Sequence, residues 1–400
     1  PSGGVAAAPR LSPVATALLG ESGDDGWGVY MRAREMEADG LPVVNLAVGE
    51  HDRRTDPSIV AALVEAAETG PHGYASVAGR PALRRAVAAR LSRHGGPAVV
   101  PDQVLVTTGC QTALLLAVQL VLGPGHECLL IDPYYATYPQ TVRATGAVPV
   151  AVPADRAAGF QADIDALARA IGPRTRAILL NTPNNPTGAV YTRERLEAIA
   201  ALCRRHDLWL IADEVYDGLV HRGVHVPPRT LPGMAGRTLT AGSLSKSYAM
   251  TGWRVGWLQG PPAAIARARD FAIANTYGVA PFLQSAAQYA LEVGTGIEAA
   301  IAAETAARAR AALAALPPGG PVTAAPPDGA MYLMLDISAA GMPAPAFAER
   351  LLDQTGIACL PGESFGTAAT GCLRLALVKP QAVLADTVRR IVALVEAQAA

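Results

Sequence analysis

Lysine is nearly absent from this chain of 400 residues. Of its 33 basic side chains only Lys246 and Lys379 are lysines; the rest are arginine. Wherever a fixed positive charge suffices, the chain uses arginine, so a retained lysine points to a need that guanidinium cannot meet. Lysine can lose its proton and attack a carbonyl; arginine does neither. The bias alone does not separate Lys246 from Lys379, which precedes Pro380 and reads as a leftover surface residue. Cysteine is also sparse: five residues, widely spaced and without a C-x-x-C pair, which excludes a disulfide framework and a zinc ribbon. His221 and His225 are four apart, but Gly223 and Pro227-Pro228 place them in a loop, so no metal is expected. No basic run is interleaved with aromatics, and the net charge is -1, which argues against nucleic acid as a partner. The longest apolar run, residues 112–122, is too short to cross a bilayer. No basic segment precedes an apolar stretch near the start, so a signal peptide is not expected and a cytoplasmic location is.

What is present is a long alternation of strand-like and helix-like segments. Short apolar strands are expected at 104–107, 128–131, 148–152, 177–180, 208–212, 238–241 and 255–258, with helical patterns such as 109–122 and 193–205 between them. Apolar strands buried on both faces and spaced by helices mean an α/β domain with a mainly parallel sheet. After about residue 280 the pattern changes. Two helical stretches, 282–291 and 297–316, lead to the Pro317-Pro318-Gly319-Gly320 break, followed by strands at 331–335, 357–360 and 373–377. The expected division is a large domain over 61–285 and a smaller α+β domain from 1–60 and 286–400, with one N-terminal strand at 43–48. Residues 1–10 read as a flexible tail.

In open α/β sheets ligands bind beyond the carboxyl ends of the strands. Thr108-Gly109, Asn185, Asp213, and Ser243 with Lys246 all follow strand ends. A Schiff-base lysine that handles amino acids usually works with pyridoxal phosphate, which needs a phosphate cradle, an acid for its ring nitrogen, a stacking face and a donor to its ring hydroxyl. Thr108-Gly109-Cys110 opens a helix whose free N–H groups favour an anion, although Thr108 read alone is an ordinary N-cap. Ser243 and Arg254 flank Lys246 and add a hydroxyl and a planar cation. Asp213 ends a buried strand, a costly place for a carboxylate without a cation; a pyridinium or a structural arginine would serve. Tyr216 and Asn185 can bond the ring oxygen, and Tyr135 can stack on the ring or pack in the core. Arg374, alone among apolar neighbours, calls for an anion: a substrate carboxylate or a structural one.

These residues lie in strings that resemble the fold-type-I, class I/II aminotransferase family: NNPTG at 184–188, DEVY at 213–216 and SLSKSYAMTGWRVGW at 243–257. Weaker matches are GYASVAGRPALR at 73–84, DGAMY at 328–332 and RLAL at 374–377. They follow the family's order across most of the chain. Within the family, 206–216, 243–257, 346–366 and Tyr277-Gly278 look most like arginine:pyruvate transaminases. The resemblance implies pyridoxal 5′-phosphate as cofactor and Lys246 as its covalent anchor and proton carrier. Asp213 would hold the pyridine proton, and Tyr216 and Asn185 would bond the ring oxygen. Ser243, Arg254 and the Thr108-Gly109-Cys110 turn would hold the phosphate. Tyr135 would stack where many relatives have tryptophan. Arg374, with Gly49 and Asn185, would bind the substrate. Tyr74 would reach the phosphate of a neighbouring subunit, implying a homodimer with shared sites.

One departure bears on the substrate. Relatives commonly read Gly-Glu-Pro-Asp-Phe near the first strand, whereas this chain reads Gly49-Glu50-His51-Asp52-Arg53-Arg54. Facing inward, the two arginines and the histidine would favour an acidic substrate over a basic one. The expected activity is ping-pong transfer of an amino group between an L-amino acid, arginine or another basic one among the candidates, and a 2-oxo acid such as pyruvate or 2-oxoglutarate. The alternative is another reaction on the same scaffold, a carbon–sulfur lyase, decarboxylase or oxidase. Ser243-x-x-Lys246 also matches the S-x-x-K of serine acyl enzymes, but the S-D-N and K-T-G partner strings are missing.

Overall fold

The computed structural model describes residues 10–18, 20 and 27–399. The expected tail falls largely outside them. The N-terminal strand β1 (Val44–Asn45) is followed by seven strands: β2 (Val104–Thr107), β3 (Glu127–Asp132), β4 (Val148–Pro153), β5 (Thr175–Asn181), β6 (Trp209–Asp213), β7 (Thr238–Ser243) and β8 (Gly256–Gln259). These seven form one sheet in the order β2-β8-β7-β6-β5-β3-β4. Neighbours pair in parallel except around β8, which runs antiparallel to both β2 and β7. The α/β reading therefore holds, with one reversed strand that a hydrophobic pattern cannot reveal, since burial periodicity carries no direction.

Helices cover both faces of this sheet. On one face Leu114, Leu116 and Ala117 of the helix Cys110–Val121 pack with Leu130, Leu179 and Ile211. On the other, Leu196, Ile199 and Cys203 of the helix Arg193–Arg205 pack against Ile178, Leu180 and Leu210. That helix starts where Thr192 accepts from the Arg195 N–H, with Glu194 in its first turn and Arg204 and Arg205 in its last, each charge suited to the helix dipole.

The C-terminal part holds β9 (Tyr332–Asp336), β10 (Ile357–Ala358), β11 (Leu360–Pro361) and β12 (Cys372–Ala376). β11, β12 and β9 form an antiparallel sheet, packed with the helices Ala344–Thr355 and Gln381–Ala399. The single strand expected at 357–360 is two: β10 pairs in parallel with β1, while β11 turns away to pair with β12. Val44 thus sits beside Ile357, tying the N-terminal segment to the C-terminal part.

All strands of the large sheet except β8 point the same way, so Thr107, Asp132, Asn181, Asp213 and Ser243 finish at one edge. The reversed β8 begins at that edge, which puts Arg254 there too. Among the described residues no helix is long and apolar enough to cross a membrane.

Candidate active site

A cleft opens at this edge, the place where open α/β sheets bind ligands. Of the residues expected from sequence, Gly49, Cys110, Tyr135, Asn185, Asp213, Tyr216, Ser243, Lys246, Arg254 and Arg374 line it. Lys246 follows β7, and its Nζ donates to the Gly49 carbonyl at 2.6 Å. Its backbone is pinned as well, since the His51 Nε2–H donates to the Lys246 carbonyl at 2.8 Å. Gly49 tolerates no larger residue: a Cβ there would lie 2.1 Å from the Tyr332 hydroxyl.

Asp213 is buried. Its carboxylate accepts from the Tyr138 hydroxyl at 2.7 Å, the Val215 N–H at 3.1 Å and the Cys110 thiol at 3.4 Å. Among the described residues it joins no ion pair, so the structural arginine weighed from sequence is not there. Burial pushes its carboxyl above the ordinary range, with the three donors pulling the other way.

Arg374 on β12 is 1% exposed, and it too has no carboxylate partner among the described residues. Its guanidinium lies 4.5 Å from the centres of the Tyr332 and Phe365 rings. It donates to Asn185 Oδ1 at 2.9 Å and to the Ala47 carbonyl, while its buried Nε has no partner. Burial lowers its pKa from the usual value. A buried guanidinium with donors to spare is poised for an anion. Because Asn185 gives its oxygen to Arg374, its amide N–H groups remain for another acceptor.

Arg254 is exposed and held by the Thr251 carbonyl at 2.8 Å and, more loosely, by that of Thr108 at 3.5 Å. It lies beside the N-terminus of the helix Cys110–Val121, capped by Gly109 at φ +85°. A Cβ on Gly109 would sit 2.3 Å from Arg254 Nη2, so glycine is what lets the guanidinium lie against the helix end. Thr108 bonds Thr112, hydroxyl to hydroxyl, at 2.8 Å. Cys110, expected with the phosphate turn, keeps its backbone at this helix start, while its thiol points at Asp213.

Tyr135 lines the cleft edge-on to Trp27 and Tyr138. The Tyr216 hydroxyl meets that of Tyr332 at 2.8 Å; burial and the second phenol push its pKa well up, so it is a hydroxyl at neutral pH. Tyr74 does not join this chain's cleft: it is 90% exposed and packs edge-on to Tyr277. Nor do the two arginines. Arg53 pairs with Glu304 at 3.1 Å, and with His51 and Arg54 it lines a neighbouring cleft. Sequence reasoning missed Trp27, Gln111, Tyr138 and Tyr332; only Tyr332 lay in a quoted string. His221 donates from Nε2 to the Ala330 carbonyl at 2.8 Å, and no metal-binding group of three or more ligands occurs among the described residues.

Residues 42–391 match the family described as aminotransferase class I and II. The arginine–pyruvate transaminase of Pseudomonas aeruginosa is 42% identical over 382 residues, covering 96% of this chain and 97% of that protein. An aspartate/prephenate aminotransferase of Thermus thermophilus is 37% identical, covering 90% and 93%. The solved structure of the Thermus thermophilus aspartate aminotransferase with maleate superposes with a TM-score of 0.90 at 34% identity, over 97% of this chain and 100% of that one.

Proposed function

The chain belongs to the class I and II aminotransferases, and we propose that it binds pyridoxal 5′-phosphate in this cleft to move an amino group between an L-amino acid and a 2-oxo acid by a ping-pong route. The observation that carries this reading is electrostatic. Lys246, Arg254, Arg374 and the buried Asp213 line one cleft, and none is ion-paired among the described residues. Of these, Asp213 and Arg374 are buried, where a charge without a counter-ion is expensive unless a ligand completes it. The cofactor's charges complement these: a cationic ring nitrogen for Asp213 and a phosphate for Arg254, Ser243 and the helix end behind Gly109.

When bound, pyridoxal phosphate supplies an aldehyde carbon for amine attachment and a protonated ring that accepts electrons from the substrate Cα. This chain's residues do the rest. Asp213 keeps the proton on the ring nitrogen, helped by the hydrogen bonds that hold the carboxylate in place. Tyr216 and the Asn185 amide donate to the ring oxygen, and Tyr135 offers a ring face. Arg374 grips the substrate α-carboxylate, which orients the Cα–H bond, and Lys246 Nζ takes and returns the proton. Tyr74, exposed and stacked with Tyr277, is proposed to complete a partner subunit's phosphate site in a homodimer. Sedimentation as a fully active monomer would contradict that.

Arginine with pyruvate is the first pair to test, from the 42% identical relative; aspartate follows, from the Thermus relatives. A panel of amino acids read by the change in cofactor absorbance names the donor, and stoichiometric formation of the new amino acid confirms transfer. Release of ammonia or pyruvate without an amine acceptor would overturn transamination as the main reaction.

A further inference from the structure

Asp132 has no part in the chemistry above, yet its carboxylate is among the most constrained in the molecule. It ends β3, is 0% exposed and joins no ion pair among the described residues. Its charge is held instead by three donors from a segment some 235 residues away. Oδ2 accepts from the Thr367 N–H and hydroxyl, each at 2.9 Å, and Oδ1 from the Ala368 N–H at 3.2 Å. The turn lies flush on the carboxylate. Gly366 has φ +113°, and a Cβ there would sit 2.1 Å from Asp132 Oδ1, so only glycine admits this contact. Two residues on, the Tyr134 N–H donates to the Phe365 carbonyl at 2.9 Å.

Both ends of this junction reach the cleft. Tyr135, the next residue, lines one wall. Phe365 is fully buried, its ring 4.5 Å from the Arg374 guanidinium. The chain leading into the turn, β11, pairs Leu360 directly with Arg374. Arg374 is thus bounded on one side by a segment that Asp132 anchors to the large sheet.

We propose that Asp132 is a positioning residue for substrate-carboxylate recognition: it fixes the Phe365–Ala368 turn to the end of β3 and so aims Arg374 at the cleft. This rests on the reading that Arg374 binds the substrate carboxylate. A misplacement of about 1 Å in a binding group is costly even when the chemistry is intact. Asp132→Asn replaces one acceptor oxygen by a donor facing N–H groups, and Gly366→Ala presses on the same contact from the other side.

In the holoenzyme both variants should raise KM for the amino acid and the oxo acid about tenfold, with kcat within about threefold of the parent. The absorbance and retention of the bound cofactor should not change. Arg374→Ala, measured alongside, separates the two claims. If it raises KM and Asp132→Asn does not, the positioning role falls and the reading of Arg374 stands. If Arg374→Ala leaves KM unchanged, that reading fails. If Asp132→Asn loses cofactor as well as substrate affinity, Asp132 merely supports the fold and the proposal is overturned.

Discussion

Asp213 and Glu214 are adjacent in sequence and both buried, yet they belong to regions built on opposite terms. Asp213 faces the cleft and meets only neutral donors. Glu214 and, three residues on, Asp217 face an internal ionic cluster. Arg90 donates to Asp217 at 2.8 Å and to both oxygens of Glu298 at 2.7 and 2.9 Å. His225 lies 3.3 Å from Glu214, and His94 lies 3.7 Å from Asp217. Burial alone would raise the Asp217 carboxyl, but Arg90 and then His94 outweigh it and hold it well below the usual range. In the cluster the charge of Arg90 is met by carboxylates of the protein's own, Asp217 and Glu298. In the cleft Asp213 and Arg374 have no counter-ion among the described residues, which on the proposed reading a ligand supplies. The first arrangement should serve stability and the second function, and substitutions can break that comparison.

The largest effect is expected at Lys246. Lys246→Ala should lower turnover on the order of 10²–10⁴-fold or more, since on the proposed mechanism it removes a positioned acid–base group and the covalent anchor together. Borohydride reduction should then fix no cofactor to the chain. Lys379→Ala should match the parent in both assays. A reducible band surviving in Lys246→Ala would remove the central lysine from the mechanism.

Next comes Arg90→Ala. Stranding Asp217 and Glu298 beside each other in the interior should cost about 3–5 kcal/mol in denaturant unfolding. Asp213→Asn should behave in the opposite way. Burial raises the Asp213 carboxyl, so in the cofactor-free protein its ionisation works against folding above the raised folded pKa and that cost is relieved as pH falls through it. At pH 7 the cofactor-free Asp213→Asn protein should be as stable as the parent or more so. It should nevertheless release cofactor faster on gel filtration. Equal destabilisation by the two substitutions would erase the distinction between the regions.

How much of this contrast was legible in the sequence depends on range. Asp213, Lys246 and Arg254 announce themselves because each follows or precedes an apolar strand within a few residues, and strand ends at one sheet edge converge by topology. The direction of β8 carries no such signal. Nor does Tyr138, whose hydroxyl reaches Asp213 from a helix start 75 residues away. The thiol of Cys110 could face either the phosphate turn or Asp213, and only packing decides. The strand expected at 357–360 splits at Cys359, where the chain changes partner from β1 to β12, which a run of apolar residues conceals. The Arg90 cluster was invisible for a different reason. Its members lie at 90, 94, 214, 217, 225 and 298, on elements whose contact is purely tertiary.

The smallest predicted effect tests the cluster from its solvent side. His94 is 29% exposed along its side chain, and the groups around it are Asp217, Glu214, Arg90 and the ring of His225, 5.8 Å away. The nearby Asp217 carboxylate raises the imidazole above its ordinary 6.5, against an opposing contribution from burial and Arg90. The proton is therefore bound more tightly in the folded protein than in the unfolded one. The stabilisation is complete below the unfolded pKa and is lost as pH rises through the raised folded value. The pair is long and partly solvated, so its worth is under about 1 kcal/mol. Measured from pH 5.5 to 8.5, the stability advantage of the parent over His94→Asn should be greatest at the acid end and shrink as pH rises. Unfolding curves that stay parallel across this range would mean that the Arg90 contacts alone satisfy Asp217 and that His94 is a bystander at the cluster's edge.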